Sequence, residues 1–308
     1  MDREPSTRKG RSVLEQRSSK LVENVKSAMF IKGPSTSQFM TEVMQEFFDM
    51  KKPHATWYKR KEANKVLPFE DASPIEFYSN KSDASLFMFG SNTKKRPNNL
   101  VVGRMFGWKL LDMLEFGVSD FKSSKDFGAG CQGVGSKPMF VLAGEQFQTE
   151  EVYRVAANLL VDFFRGRIID RINIQGLDHV IQLTVVDGVI HFSHYSVKLK
   201  KSGTQIPKIQ LEEIGPSMDL TLRRSKLATE DLRKESLRTP AQLNPSKHKN
   251  ISKNVFGDTL GRLHVPDQGI DKIVTKKPKG LKRHLVDPDE ASSSSPAAKK
   301  QKRRESDD

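Results

Sequence analysis

The sequence of 308 residues contains one cysteine, Cys131. A lone thiol cannot close an intramolecular disulfide or furnish a multi-cysteine zinc site. Long apolar runs are missing too. No stretch approaches the roughly eighteen apolar residues of a membrane span, and the polar, basic N-terminus lacks the apolar run of a signal peptide. These absences predict a soluble intracellular protein of a reducing compartment with no membrane partner. Aromatic residues are absent from 1–27, and Phe256 is the only one in 226–308. The apolar material is therefore concentrated in a core of about 200 residues, enough to bury an interior, between two extensions too polar to bury one. The expected organisation is a basic N-terminal arm (1–27), a folded core (28–225) and an extended basic tail (226–308).

Negative charge is in the minority. Against 52 Lys and Arg stand 38 Asp and Glu, for a net charge of +14 and a pI near 9.7. The excess is uneven: +3 in 1–27, +4 in 28–225 and +7 in 226–308. A nearly balanced core with basic extensions points to a polyanionic partner, because Lys and Arg displace counterions condensed on phosphates. Tails that serve only solubility are the alternative.

Along the core, Met29-Phe30-Ile31 before Gly33 reads as a buried strand. Pro34-Ser35-Thr36-Ser37 offers an N-cap, and Phe39, Met40, Val43, Met44, Phe47 and Phe48 then recur at amphipathic-helix spacing. His54–Tyr58 reads as a strand and Ser73–Tyr78 as a short helix opened by Pro74. Ser85–Gly90 and Leu100–Arg104 are further strands, so the pattern is α/β or α+β. Pro138–Gly144 echoes the first strand. It is followed by Val152, Val155, Ala156, Leu159, Leu160, Phe163 and Phe164, a second helix ending in Phe-Phe. The repeat suggests two related halves, 28–125 and 137–225, joined by a Gly-rich linker at 126–136. Asp187-Gly188 between Val180–Val186 and Val189–Phe192 is a hairpin signal. Met218, Leu220 and Leu222 alternate on a last strand.

Several motifs look chemical. Gly128–Lys137 contains G-x-G-x-x-G, but a charged stretch precedes it and Pro138 with a strand follows. A dinucleotide loop needs a strand before and a helix after, so a linker is expected. Cys131 has no basic neighbour to activate it. His191 and His194 sit at odd spacing on a strand, which sends the rings to opposite faces, one packed and one solvated. No acid, base and nucleophile assemble, so no enzyme, no metal and no cofactor are expected.

The residues that bear on nucleic acid are basic clusters at turns and element ends. They are Lys59-Arg60-Lys61, Lys94-Lys95-Arg96, Arg165-Gly166-Arg167, Lys198-Leu199-Lys200-Lys201 and Arg223-Arg224. Such placement lets flexible cationic heads reach phosphates while strands stay packed. Candidate RNA contacts are Lys94, Lys95, Arg96, Arg165, Arg167, Lys200, Arg223 and Arg224. The last two could instead brace the halves through buried carboxylates.

Gly215-Pro216-Ser217, with Leu220, Leu222, Arg223 and Arg224, resembles the C-terminal signature of the Brix family of ribosome-assembly proteins. Ser82–Ser91, Lys94–Leu100, Gly103-Arg104-Met105 and Glu23–Lys26 narrow the resemblance within that family, and Asn250–Ser252, Phe256–Asp258 and Gly261–His264 extend it into the tail. The resemblance implies two anticodon-binding-like halves related by pseudo-twofold symmetry, with disordered or extended basic extensions. It also implies a non-enzymatic factor of the nucleus and nucleolus that helps recruit 5S rRNA, with its ribosomal-protein escorts, into the large (60S) subunit precursor and supports maturation of large-subunit pre-rRNA. The implied heterodimer partner is a regulator of ribosome synthesis homologue, held by an exposed apolar or strand-edge surface. Beyond the resemblance, Lys299, Lys300, Lys302, Arg303 and Arg304 resemble a nuclear import signal. The alternative is a protein-only scaffold of the pre-ribosome whose basic tails serve import and solubility.

Overall fold

The computed structural model describes residues 6–58, 66–128, 133–169, 171–203, 206–243 and 249–263. Lys59-Arg60-Lys61, Cys131 and the import-signal residues Lys299 to Arg304 lie outside them. The chain divides into two compact units, 1–244 and 245–308. In the first, the elements run α1 (Arg8–Arg17), β1 (Ala28–Lys32), α2 (Gln38–Lys51), β2 (Ala55–Tyr58), α3 (Ser73–Ser82), β3 (Leu86–Ser91), β4 (Asn99–Phe106), β5 (Lys109–Lys122), β6 (Met139–Ala143), α4 (Gln146–Thr149), α5 (Glu151–Phe164), β7 (His179–Val186), β8 (Val189–Lys200), β9 (Lys208–Glu213), β10 (Ser217–Lys226) and α6 (Glu230–Ser236). The second unit holds a hairpin, β11 (Ile251–Lys253) and β12 (Thr259–Gly261).

The first ten strands form one mixed sheet in the order β2-β1-β3-β4-β5-β10-β8-β7-β6, with β9 pairing the outer part of β8. Its symmetry is legible in the pairing. β1 runs parallel to β3, which is antiparallel to β4, which is antiparallel to β5. β6 runs parallel to β7, which is antiparallel to β8, which is antiparallel to β10. Read outward from the antiparallel β5–β10 seam, the two series are the same.

The helices form for the reasons their sequences suggest. Ser37 caps α2 by accepting from the Met40 N–H at 3.2 Å, and Met40, Val43, Met44 and Phe47 are buried. α5 differs from α2 in that no side chain caps it, and it is preceded by the short turn α4. The two Phe-Phe pairs meet, with Phe47 5.6 Å from Phe164 between ring centroids, and Phe163 also lies 5.9 Å from Phe30 of β1. One core thus joins α2 and α5 to a single sheet face across both halves. The opposite face of the first half buries Met29, Ile31, Phe87, Phe89, Val101 and Met113 beneath α3 and Val66. Asp187 and Gly188 both take positive φ, 48° and 79°, as a two-residue hairpin turn requires.

Three expectations are corrected. The arm at 1–27 contains α1, capped by Thr7 and tied down by Arg17 donating to the Lys81 carbonyl at 2.9 Å. The tail read as extended from residue 226 includes α6 and a hairpin. β6, expected as a buried copy of β1, is exposed at Met139, Val141 and Leu142, because it is the last strand of the sheet whereas β1 lies between β2 and β3.

Candidate nucleic-acid interface

The seam brings the candidate cations together. On β10, Leu222 stands opposite Phe116 and Arg224 opposite Glu115, so Arg223 is an inserted residue. Such a bulge re-aims the side chains around it. Arg223 and Arg224 both emerge on the α3 side of the sheet. Arg224 Nε donates to Glu115 Oε2, and its guanidinium lies 4.1 Å from the Phe69 ring centroid. Arg223 donates to Asn99 Oδ1 at 3.3 Å over Gly117, where a Cβ would approach the guanidinium to 2.5 Å. Only glycine leaves that seat open. Arg96 reaches Glu115 Oε1 at 3.6 Å from the β3–β4 turn, which also exposes Lys94 and Lys95. Glu115 is 0% exposed, a carboxylate removed from water and held by two guanidiniums that themselves remain partly in solvent. Arg96 and Arg224 share this one buried carboxylate, while Lys94, Lys95 and Arg223 are exposed and have no ion pair among the described residues, so the surplus charge is positive. Arg224 on β10 and Glu115 on β5 also tie one half to the other, as the bracing reading anticipates.

The remaining candidates lie elsewhere. Arg165 closes α5 and reaches Asp162 Oδ1 at 3.2 Å. Arg167 is exposed, and its carbonyl accepts from Lys137 Nζ at 2.6 Å. Lys200 is exposed at the end of β8, opposite Lys208.

Asp162 anchors a charge network that the cluster pattern did not include. It is 7% exposed, pairs with Lys26 Nζ, and lies 3.6 Å from Arg104 Nη1. Arg104 also grips Asp112 through Nε and Nη2 at 2.7 to 2.9 Å. Lys51, buried at the end of α2, donates to the Phe163 carbonyl. Burial pulls its amine down to about 8, against the pull of Asp162 in the other direction. The available signal was Asp162 itself, a carboxylate inside the apolar run Leu159–Phe164, as Glu115 is inside Leu114–Phe116.

The two histidines of the odd-spaced pair part as expected: His194 is buried, while His191 is partly exposed and 2.6 Å from Asp219. His194 instead meets His179 from the neighbouring strand, with ring centroids 5.2 Å apart. His194 Nδ1 lies 2.6 Å from the Gly215 carbonyl, and His179 Nδ1 lies 3.3 Å from Ser136 Oγ. Burial holds both rings neutral, His179 down to about 4 and His194 below its ordinary value. The unfolded chain takes up protons on these rings near pH 6.5, before the folded chain does. Stability is therefore expected to be full above about pH 6.5 and to fall as pH drops toward 4. Urea midpoints at pH 7 and pH 5 measure this. The decline should be shallower in His179→Gln, and equal declines in the variant and the parent would count against the assignment.

The described unit is a pseudo-symmetric mixed-sheet scaffold with arginines along its central β5–β10 seam. The sequence signature of the Brix domain matches residues 33–224, and the chain belongs to that family. It is similar to the ribosome production factor 2 homolog of Mus musculus, 47% identical over 258 residues and covering 84% of each chain. The homolog from Homo sapiens is 48% identical over 257 residues, 83% of each chain. That from Arabidopsis thaliana is 37% identical over 292 residues, 92% of this chain and 93% of its own.

Proposed function

We propose that this chain is a non-enzymatic ribosome-assembly factor of the nucleolus that binds rRNA through the cationic seam. It would help bring 5S rRNA, with its ribosomal-protein escorts, into the large (60S) subunit precursor. The names of its relatives support the process. The observation that supports RNA binding is that Arg96, from the turn bearing exposed Lys94 and Lys95, shares one buried carboxylate with Arg224 of the seam, beside Arg223 on Asn99. Guanidiniums seated on Glu115, Asn99 and Phe69 lose little further freedom on binding, and their outward N–H groups suit phosphate oxygens. Lys94 and Lys95 add adaptable charge at the rim.

In a titration of 5S rRNA binding, log affinity should fall with log salt by about 0.7 to 0.9 per phosphate contact. Lys94→Gln with Lys95→Gln should flatten that slope by about two contacts while leaving the fold intact, since both side chains are exposed. A salt-independent affinity in the parent chain would sink the RNA reading.

The partner surface of this reading is the β6 edge. In the first half, 34 residues separate α2 from β3 and supply β2 and α3; in the second, 14 separate α5 from β7 and, among the described residues, supply no strand or α-helix. β1 therefore has parallel neighbours on both sides, β2 and β3, whereas among the described residues β6 pairs with β7 alone. Met139, Val141 and Leu142, with Ile168, Ile169 and Ile172 nearby in sequence to α5, are left exposed. An apolar edge with unpaired N–H and C=O groups suits strand addition. We assign the missing strand to the heterodimer partner, a regulator of ribosome synthesis homologue.

A further inference from the structure

The C-terminal unit carries a feature the functional reading leaves unused. Its hairpin is too short to own a core, yet its tip is tightly built. Asn254 Oδ1 accepts from the N–H groups of Phe256 at 3.0 Å and Asp258 at 2.9 Å. Asn254 Nδ2 donates to Asp258 Oδ2 at 3.0 Å. The backbone closes the turn through Gly257 N–H to the Asn254 carbonyl at 3.1 Å, with Gly257 at a φ of +91°. This scaffold holds out Val255, 100% exposed, and Phe256, 90% exposed. Phe256 is the sole aromatic residue of the last 83, and among the described residues it packs on no other ring.

The charge around it has one sign. Asp258 is the only acid in 249–263, and its carboxylate is engaged by Asn254. Lys249, Lys253 and Arg262 are exposed, with no ion pair among the described residues. A pocket in a protein would accept the apolar tip but leaves three cations unexplained. A duplex would accept the cations but hides its base faces from the ring. Single-stranded RNA satisfies both, offering phosphates to the cations and an unpaired base to the aromatic face.

We propose that the β11–β12 hairpin is an RNA-reading tip in which Phe256 stacks on an unpaired rRNA base while Lys249, Lys253 and Arg262 hold the adjoining backbone. The pre-formed turn lowers the ordering cost of that contact. The inference rests on the rRNA-binding reading above but uses a separate site.

The test uses the full-length chain with in vitro transcribed 5S rRNA as probe and a blunt RNA duplex as control. Phe256→Ala should weaken 5S rRNA binding by about 5- to 150-fold, the range expected for one base–aromatic stack, without changing the salt slope. Phe256→Tyr should restore binding, and Phe256→Trp should show emission quenched by 5S rRNA but not by the duplex. Lys253→Gln with Arg262→Gln should lower the salt slope. Because Phe256 is exposed, the alanine variant keeps its fold. If Phe256→Ala binds like the parent and the Trp variant shows no quenching, the tip does not read RNA. Intact RNA affinity with loss of a copurifying protein would likewise overturn the proposal in favour of a protein pocket. Either result leaves the seam reading standing so long as the Lys94 and Lys95 variant still changes the slope.

Discussion

Replacing Asp162 by alanine is expected to destabilise the folded chain by about 3–5 kcal/mol, the cost of removing one partner from a buried charge network. The carboxylate is 7% exposed and faces Lys26, Arg104 and Arg165. Without it those cations face one another, and Lys51, already drawn down to about 8 by burial, loses the one anion that favours its charged form. The network also spans the fold: Lys26 precedes β1, Lys51 ends α2, Arg104 is on β4, Asp162 is on α5 and Arg165 caps its C-terminus. Urea unfolding at pH 7 measures the loss. Lys51→Met in the Asp162→Ala background should recover part of it, because a methionine in that site carries no charge to desolvate. A loss below about 1 kcal/mol in the single variant would mean that the network contributes as exposed pairs do.

The second large effect is on assembly. Val141→Asp with Leu142→Arg should weaken binding of the heterodimer partner by at least about 30-fold, the scale of an interface hot spot. The isolated chain should unfold as before, since both positions are exposed and exposed substitutions usually change stability by about 0.5 kcal/mol or less. Calorimetric titration of the purified partner into each chain separates the two. Partner binding at parental strength would place the interface away from β6.

Much of the fold was legible because local signals and global packing agreed. The stripe of α2, the Asp187-Gly188 turn and the repeated Phe-Phe endings each correspond to an observed element. β5 was missed because Asp112, Glu115 and Gly117 interrupt its apolar pattern. Each of those residues answers to a guanidinium: Asp112 to Arg104, Glu115 to Arg96 and Arg224, Gly117 to Arg223. The exposure of β6 was illegible for another reason. Its residues match those of β1 in type, and only the presence or absence of a neighbouring strand decides whether they are covered. Among the candidate site residues, clustering in sequence could not show which of them share a carboxylate. Arg96 and Arg224 meet because the β5–β10 register carries Arg224 back to Glu115, 109 residues away in the chain. The tail hairpin lies beyond the reach of periodicity, since strands of three residues show too few alternations to register.

The seam sets the timetable of folding. β10 is the last strand of the large sheet to leave the ribosome, and its place is in the middle, between β5 and β8. During synthesis the first half waits with the long edge of β5 open while about a hundred further residues are made. The sheet closes only once Lys226 has emerged. Pairings so distant in sequence slow folding and leave an unpaired strand exposed during the wait, so the nascent chain is the stage at which this protein most needs protection from other chains.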